Sequence, residues 1–236
     1  MGFVDRTGDE VTSLTPEEAF DALYGSCAPT LVRQTYLLTG RHGVALECVE
    51  RAFRDAWHRW PEVALDPDPP SWVRAVAHDH ALSPWRRAGR RRRRRQRTLA
   101  GGRRVAPADR ALLAALRDLP PLHRRTLLLY DGLGLDLPET AAETEASTAA
   151  TASRLCRARE AVAVRLPELA DPGTLRRRMA EAAQVATSST RARPSRPPVV
   201  RHRAERLARW WTAAAVVVTA VMGVLILAGL VTAATR

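Results

Sequence analysis

The chain has 236 residues, 46% of them hydrophobic, which is enough apolar material for one or two domains with a buried core. Its net charge of +12 exceeds what solubility requires, so a polyanionic partner is expected, either nucleic acid or an anionic lipid surface. All 37 basic residues are Arg, and codon bias in a GC-rich genome is a second explanation for the scattered ones.

The chemistry-bearing residues argue against an enzyme. The sequence has no phosphate-binding loop, no nucleophile motif and no His and Cys cluster with metal-ligand spacing, so no catalytic residue, metal or cofactor is predicted. Cys27, Cys48 and Cys156 are widely spaced within apolar helical patterns, which predicts small core residues in a reducing compartment. Charged residues near the N-terminus, Asp5 and Arg6 among them, argue against a cleavable signal peptide.

Three helical patterns occupy the first third of the chain. Apolar residues at helical spacing predict a first helix from Phe20 to a stop at Gly40. A second, strongly amphipathic helix is predicted from residue 49 to a stop at Pro61. A third helix is predicted to have Ser71 as its N-cap and to be shortened near its end by Pro84.

The rest of the chain alternates helices with basic linkers. Residues 86–104 are mostly Arg and Gly, which predicts a flexible linker between two domains. Residues 187–203 are rich in Ser, Thr, Pro and Arg and are expected to be disordered. Helices are predicted at residues 112–119, 122–130, 138–144, 148–166 and 171–186, and the fourth of these has an apolar stripe that includes Ala152 and Leu155. No pattern predicts a strand, so the expected fold class is all-α.

A C-terminal apolar segment predicts one transmembrane helix at residues 210–234. No charged residue lies between Trp210 and Thr235, and about 26 residues at ~1.5 Å each are long enough to cross a ~30 Å hydrocarbon core. A buried core helix is the alternative, but the neighbouring sequence offers it little apolar surface. Four Arg residues precede the segment and only Arg236 follows it, which predicts a single-pass protein of the cell membrane with residues 1–209 in the cytoplasm.

Short motifs in both halves of the chain point to one family. In the first half they are residues 20–24 (FDALY), 36–40 (YLLTG), 49–57 (VERAFRDAW), 71–77 (SWVRAVA) and 85–87 (WRR). In the second half they are Leu119, Pro120, Pro121, Arg124, Gly134, Glu139, Ala141, Ser147 and residues 153–159 (SRLCRAR). Together they resemble regions 2 and 4 of the extracytoplasmic-function sigma factors, small promoter-recognition subunits of bacterial RNA polymerase. The resemblance covers roughly residues 17–166.

This resemblance implies a domain plan and a surface for the polymerase. The plan is a region 2-like domain at residues 17–87, an Arg-rich linker at 88–107, a region 4-like helix-turn-helix domain at 108–168, a basic and partly disordered linker at 169–209, and the transmembrane helix. In region 2 it implies that the polymerase core is contacted by Val49, Glu50, Phe53 and Trp57. For Phe53 and Trp57, packing in the protein core is an equal alternative.

The resemblance also implies residues that bind DNA. The third helix of region 2 would hold unpaired bases of the minus-ten element by stacking and by a cationic groove. Its candidates are Trp72, Arg74, His78, Asp79, His80, Arg86 and Arg87, although His78 and His80 could equally be surface residues without this role. The helix-turn-helix would read the minus-thirty-five element in the major groove. Its candidates are Ser147 as the helix cap, Thr148, Thr151, Arg154, Arg157, and Arg159 as a phosphate contact.

The sequence leaves three functions open. The first is a membrane-tethered sigma factor that binds polymerase core and promoter DNA, with an anti-sigma factor or a protease as further partners. The second is an interaction protein that titrates polymerase or a regulator at the membrane without initiating transcription. It is motivated by departures from the helix-turn-helix pattern, namely Thr140, Glu143, Thr144 and Thr151 at usually apolar positions and Glu145 in place of the turn glycine. The third is a basic module whose residues 90–95 bind anionic lipid headgroups.

Overall fold

The computed structural model describes residues 14–83, 106–187 and 197–200. All regular elements in these three ranges are helical, which confirms the all-α class. Nine α-helices lie in the first two ranges: α1 Pro16–Thr39, α2 His42–His58, α3 Trp60–Val63, α4 Pro69–Leu82, α5 Pro107–Asp118, α6 Pro121–Leu127, α7 Leu137–Glu143, α8 Thr148–Arg165 and α9 Pro172–Thr187. A π-helical turn, Leu128–Gly132, continues α6, and a 3-10 turn, Pro167–Leu169, follows α8.

Two segments with predicted roles lie outside the described residues. They are the transmembrane helix at residues 210–234 and nearly all of the Arg-rich linker at 88–107. Among the helices that the structure does describe, none combines the length and apolar character needed to cross a membrane.

Helix α1 begins and ends where the local chemistry dictates. Its N-cap, Thr15, accepts a hydrogen bond from the amide of Glu18 at 3.2 Å, while the Glu18 carboxylate accepts from the Thr15 amide at 2.9 Å. Its end is Gly40, whose φ of +65° favours glycine and whose amide donates to the Tyr36 carbonyl at 2.7 Å. A Cβ at Gly40 would lie 3.0 Å from Cδ of Arg117. The predicted stop at Gly40 is therefore confirmed.

Prolines displace two of the predicted helix ends. Helix α2 ends at His58, and Pro61 stands in the first turn of the next helix rather than terminating the previous one. The N-cap of α4 is Asp68, whose carboxylate accepts from the Ser71 amide at 3.1 Å, so the prediction of Ser71 as cap is wrong. Proline is tolerated in a first helical turn because the amide it lacks has no intrahelical partner there.

An aromatic cluster fills the core of the first half, residues 14–83. Phe20 is fully buried and meets Phe53 edge to face with ring centroids 6.0 Å apart, and Trp57 at 5.0 Å. Val200 belongs to the same cluster and is 2% exposed. The expectation of disorder over residues 187–203 is therefore wrong at residues 197–200, which form a helical turn. Burial of an apolar side chain offsets the entropy that disorder would have retained.

The two halves share one hydrophobic core, although their sequences suggested separate domains. The cluster joins the ends of α1 and α4 to α5, the α6 region, α8 and α9 of the second half, residues 106–187. Its members include Leu37, Leu38, Leu82, Leu112, Leu116, Leu127, Leu155, Leu175 and Met179. The helix predicted at 171–186 is confirmed as α9. It contributes Leu175 and Met179 to this core, although the domain plan placed its residues in a linker.

Arg124 connects the halves through polar contacts inside this core. Its side chain is 2% exposed, and its guanidinium donates to three backbone carbonyl oxygens, those of Leu38 at 2.8 Å, Leu119 at 2.8 Å and Arg117 at 2.5 Å. A buried guanidinium is costly unless its donors are paired, so these carbonyls fix the position of α1 relative to α6.

The three cysteines are free thiols in unequal environments. Cys48 is buried and Cys27 is half-buried, as predicted for core residues. Cys156 is exposed on α8, so the core prediction is wrong for it. Its position is one residue after buried Leu155 on the helix, which turns it to the outer face.

Candidate nucleic-acid interface

Helices α7 and α8 form the predicted helix-turn-helix, and both are capped. Asp136 accepts from the Glu139 amide at 2.7 Å, and the Glu139 carboxylate accepts from the Asp136 amide at 2.8 Å, which completes a capping box for α7. The Ser147 hydroxyl accepts from the Ala150 amide at 3.2 Å, so the cap predicted for α8 is confirmed. The beginning of α8 is therefore set by local sequence.

The departures from the motif are accommodated without loss of its geometry. Glu145 adopts a φ of +49°, the left-handed conformation that glycine would take at lower cost. Thr140 and Thr151 are fully buried, and within the described residues their hydroxyls have no hydrogen-bond partner. Each unpaired buried hydroxyl costs roughly 1–3 kcal/mol. The motif thus folds, but with less stability than an apolar version would have.

The exposed face of α8 carries part of the predicted minus-thirty-five set. Ser147, Thr148 and Arg157 are exposed, and Arg154 is half-buried. Thr151 has no exposed surface and packs beneath this face, so in this structure it cannot touch DNA. The structure therefore brings Ser147 and Thr148 together at the start of α8 and leaves Arg157 on its surface.

His123 on α6 is a neighbour of this face that the sequence did not single out. Its pKa is lowered, first by partial burial and then by the positive charges of Arg157 and Arg154. These three nitrogen-bearing side chains therefore share one electrostatic environment beside α8. Its place in the motif between Pro121 and Arg124 is the sequence signal that could have drawn attention to it.

Arg159 binds a buried carboxylate inside the second half. Its Nε and Nη2 donate to the two carboxylate oxygens of Asp131 at 2.9 and 2.6 Å, and its guanidinium lies 5.2 Å from the ring centroid of Tyr130. The Asp131 side chain has no exposed surface, and Arg176 approaches it at 3.7 Å. The hydrogen bond that Arg159 donates to Asp131 is the main cause of the raised pKa of Arg159. Arg159 is thus committed to an ion pair rather than presented to a phosphate.

The predicted minus-ten residues of α4 lie in different environments. Trp72 is half-buried with Arg59 5.6 Å above its ring. Arg74 and Asp79 form ion pairs with Glu143 and Arg125 of the second half, and these are described further below. Two further candidates, Arg86 and Arg87, lie outside the described residues.

Both histidines of α4 are buried, so the alternative of a plain surface position is wrong for them. His78 has no exposed surface, and its Nε2 lies 3.0 Å from Oε1 of Gln34. Burial, followed by the charges of Arg125 and Arg74, lowers its pKa to about 3, so the ring is neutral at physiological pH. The Nε2 atom of His80 lies 2.7 Å from a carboxylate oxygen of Asp55. In this structure neither ring is available for stacking with a base.

The predicted polymerase contacts divide between core and surface. Val49 and Phe53 are 0% exposed, so packing accounts for both in this structure. Glu50 and Trp57 are half-buried and keep surface on the outer side of α2. Trp57 also packs against Phe20, which makes it a core residue with an accessible edge.

Comparisons with known proteins agree with this geometry. Residues 109–162 match the family model for Sigma-70, region 4. The sigma factor RpoE of Bartonella quintana, from a co-crystal structure with the anti-sigma factor NepR, is similar with a TM-score of 0.50 and 19% sequence identity. That similarity covers 63% of this chain and 97% of the other, and at such identity it concerns the fold alone. No curated protein sequence matches. Residues 109–162 are therefore similar to sigma-70 region 4, within a chain whose fold is similar to that of a sigma factor.

Proposed function

We propose that the chain is an extracytoplasmic-function sigma factor that binds RNA polymerase core and directs it to promoters. The observation that carries the proposal is the helix-turn-helix of α7 and α8, which lies in the segment matched to Sigma-70, region 4, and exposes Ser147, Thr148 and Arg157. The net charge of +12 supports a nucleic-acid partner, since neutralised phosphates release counterions on binding.

In this proposal the start of α8 enters the major groove at the minus-thirty-five element. Ser147 and Thr148 stand at the N-terminal end of the helix, the end that contacts base edges in helix-turn-helix proteins. Arg157 and Arg154 contact bases or phosphates further along the DNA. His123 adds a neutral hydrogen-bond donor to the DNA phosphate backbone beside them. Thr151 and Arg159 act inside the domain, where they hold α8 in place.

The first half would serve the minus-ten element and the polymerase. Trp72 and Arg74 of α4, with Arg86 and Arg87 beyond it, are the candidates for the unpaired strand, because stacking and positive charge are what such a strand requires. Asp79 is a further candidate through its position in the family resemblance alone. Glu50 and Trp57 are the candidates for the polymerase core, because they keep exposed surface on α2.

The test combines polymerase capture with run-off transcription on genomic promoter fragments. Purified full chain, in mild detergent because of the apolar segment at residues 210–234, is expected to bind core polymerase and to start transcription at selected promoters. A chain cut after residue 170 would be a poor substitute, since it would lack Leu175 and Met179 of the shared core. Absence of any binding to polymerase would overturn the proposal.

Arg157 provides the residue-level test, with Arg165 on the same helix as a matched control. Arg157→Ala removes a predicted DNA contact and is expected to weaken promoter binding by roughly 1–3 kcal/mol, about 5- to 150-fold. Arg165 is also exposed but stands in the last turn of α8 beside Asp118. Arg165→Ala is expected to change promoter affinity no more than about twofold, and equal losses in both variants would contradict the docking geometry.

The apolar segment at residues 210–234 is proposed to anchor this sigma factor in the cell membrane, with the folded part in the cytoplasm. The absence of charge over the segment and the four Arg residues before it support this. The shared fold with a protein crystallised beside an anti-sigma factor supports such a partner here as well. Retention in washed membranes, lost when the chain is cut after residue 209, is the expected result.

A titrating interaction protein is the second candidate. The buried, unpaired hydroxyls of Thr140 and Thr151 and the left-handed Glu145 favour it, because they weaken the domain that must read the promoter. Binding to core polymerase without promoter-selective initiation in the run-off assay would establish this function instead.

A further inference from the structure

A carboxylate of the helix-turn-helix contacts α4, the helix proposed to hold unpaired DNA. Glu143, the last residue of α7, accepts hydrogen bonds from the Ser71 hydroxyl at 2.7 Å and from Nε of Arg74 at 3.1 Å. A second Arg74 nitrogen, Nη2, also donates to the same oxygen, and it reaches the Ser71 hydroxyl at 2.8 Å. The side chains of Arg74 and Glu143 are only 22% and 12% exposed. This contact spans 69 residues of sequence and is largely sheltered from solvent.

A second ion pair joins the same two surfaces. Nη1 of Arg125, on α6, lies 3.2 Å from a carboxylate oxygen of Asp79, further along α4. Arg125 is 13% exposed and Asp79 is 70% exposed, so this pair contributes less than the first. The α4 contact, defined here as Ser71, Arg74 and Asp79 with Glu143 and Arg125, therefore engages two of the residues proposed to bind the minus-ten strand.

We propose that the α4 contact is an intramolecular closed state in which the helix-turn-helix half covers the DNA-holding face of α4. Glu143 occupies on Arg74 the position that a DNA phosphate would take, because a carboxylate and a phosphate offer a guanidinium the same charge-assisted acceptors. Unpaired DNA can then reach Arg74 only when the two halves separate at this surface. The inference rests on the proposed function, since it assumes that α4 holds DNA.

The expected effect follows from the population of the open form. When binding requires a minor open state, the apparent dissociation constant equals the intrinsic one divided by the open fraction. Removing the charge of Glu143 weakens several hydrogen bonds that close the surface, and bonds to charged groups are among the stronger ones in proteins. The shared apolar core still favours closure, so the open fraction stays small in the variant. The apparent dissociation constant therefore falls by the same factor by which the open fraction rises. We expect a gain of about tenfold.

The first experiment compares two charge-removing variants that stand two residues apart. Glu143→Gln removes the carboxylate that hydrogen-bonds to Ser71 and Arg74 of α4, while Glu145→Gln removes one from the exposed turn between α7 and α8. Binding of the full chain to a fluorescent single-stranded DNA of mixed sequence is expected to tighten about tenfold for Glu143→Gln and at most about twofold for Glu145→Gln. Equal gains would mean that only charge repulsion was relieved, and would overturn the proposal.

The second experiment tests the contact itself, independently of DNA. Ser71→Cys with Glu143→Cys, in a chain whose Cys27 and Cys156 are replaced by Ser, is treated with a short bis-thiosulfonate cross-linker that reductant can remove. Rapid cross-linking is expected for this pair and not for Ser71→Cys with Cys placed at exposed Glu160. Because the shared apolar core keeps the halves together in this variant, equal rates for the two pairs would show that α4 and the end of α7 do not lie against each other, whatever the chain does with DNA.

The cross-linked chain then decides whether closure covers the DNA-binding face. It is expected to lose affinity for the single-stranded DNA and to regain it on reduction. Equal affinity in the linked and reduced forms would overturn the covering role while leaving the proposed function intact. Efficient cross-linking with no DNA binding in either form would overturn the proposed function, and the covering role with it, while the contact would stand.

Discussion

Arg159 and Arg157 lie two residues apart on α8, and the structure assigns them opposite tasks. Arg159 holds the buried carboxylate of Asp131 through two hydrogen bonds, at 2.9 and 2.6 Å, whereas Arg157 is exposed. Replacing Arg159 with Ala should therefore destabilise the fold, and replacing Arg157 with Ala should weaken DNA binding without destabilising it. The sequence alone predicted a DNA contact for both.

The magnitude for Arg159→Ala follows from what the substitution leaves behind. Removing one partner of a buried ion pair typically costs about 3–5 kcal/mol, because the other charge remains without compensation. Here Arg176 stays at 3.7 Å from Asp131, and the Arg159 side chain is 26% exposed, so the loss is reduced to about 2–3 kcal/mol. For a chain of this size that corresponds to a fall in Tm of roughly 4–12 °C.

Chemical denaturation followed by circular dichroism measures this loss, and promoter binding is measured on the same samples. Arg157→Ala is expected to change the free energy of unfolding by less than about 0.5 kcal/mol. Asp131→Asn, combined with Arg159→Ala in a double-mutant cycle, should show that the two losses are not additive. The reasoning is refuted if Arg159→Ala leaves stability unchanged and weakens DNA binding as Arg157→Ala does.

Three further predictions concern stability, and denaturant midpoints measure each of them. Gly40→Ala should cost about 1–2 kcal/mol because of its positive φ and close neighbour, while Gly43→Ala, in open space on α2, should be neutral or stabilising; equal effects would contradict the backbone argument. His78 titrates near 6.5 when unfolded but has a pKa of about 3 when folded, so the unfolded chain binds the extra proton and stability falls with pH below 6.5. Between pH 7 and 5 this residue should account for about 2 kcal/mol, and His78→Asn should show a correspondingly smaller loss; identical pH profiles would contradict it. Glu145→Gly should stabilise by up to about 1 kcal/mol, and destabilisation would mean that the left-handed turn does not form.

The helices were predictable because their signals are local. Periodic apolar residues, a glycine stop after α1 and a serine cap before α8 act within a few residues, and the structure has them where the sequence predicts them. The N-cap of α4 was missed because Asp68, Pro69 and Pro70 together make a better helix start than Ser71. Competing cap residues differ by a few kcal/mol at most in how well they stabilise a helix start, and a sequence pattern does not resolve so small a difference.

The roles of individual polar residues were less predictable, because their partners lie far away in sequence. The sequence around His78 does not indicate that its ring will be buried and hydrogen-bonded to Gln34. The sequence around Arg159 does not indicate that Asp131 will be its ion-pair partner. On α8 the buried position is Thr151 rather than Ala152, a shift of one residue that rotates the buried face by about 100°. Long-range packing selects between such neighbours, and composition alone does not.

The burial of Val200 limits how far the folded part of the chain can lie from the apolar segment at residues 210–234. Nine residues separate it from Trp210, where the apolar segment begins, and ten peptide units reach at most about 35 Å when fully extended. If the segment spans the membrane as proposed, Val200 stays within that distance of the bilayer. The folded part is then confined to a shell set by the tether length plus its own diameter, where the headgroups also attract its Arg residues. Chromosomal promoters outside this shell would be reached only after the chain is cut, and a cut between residues 201 and 209 would free the protein with its docked turn still in place.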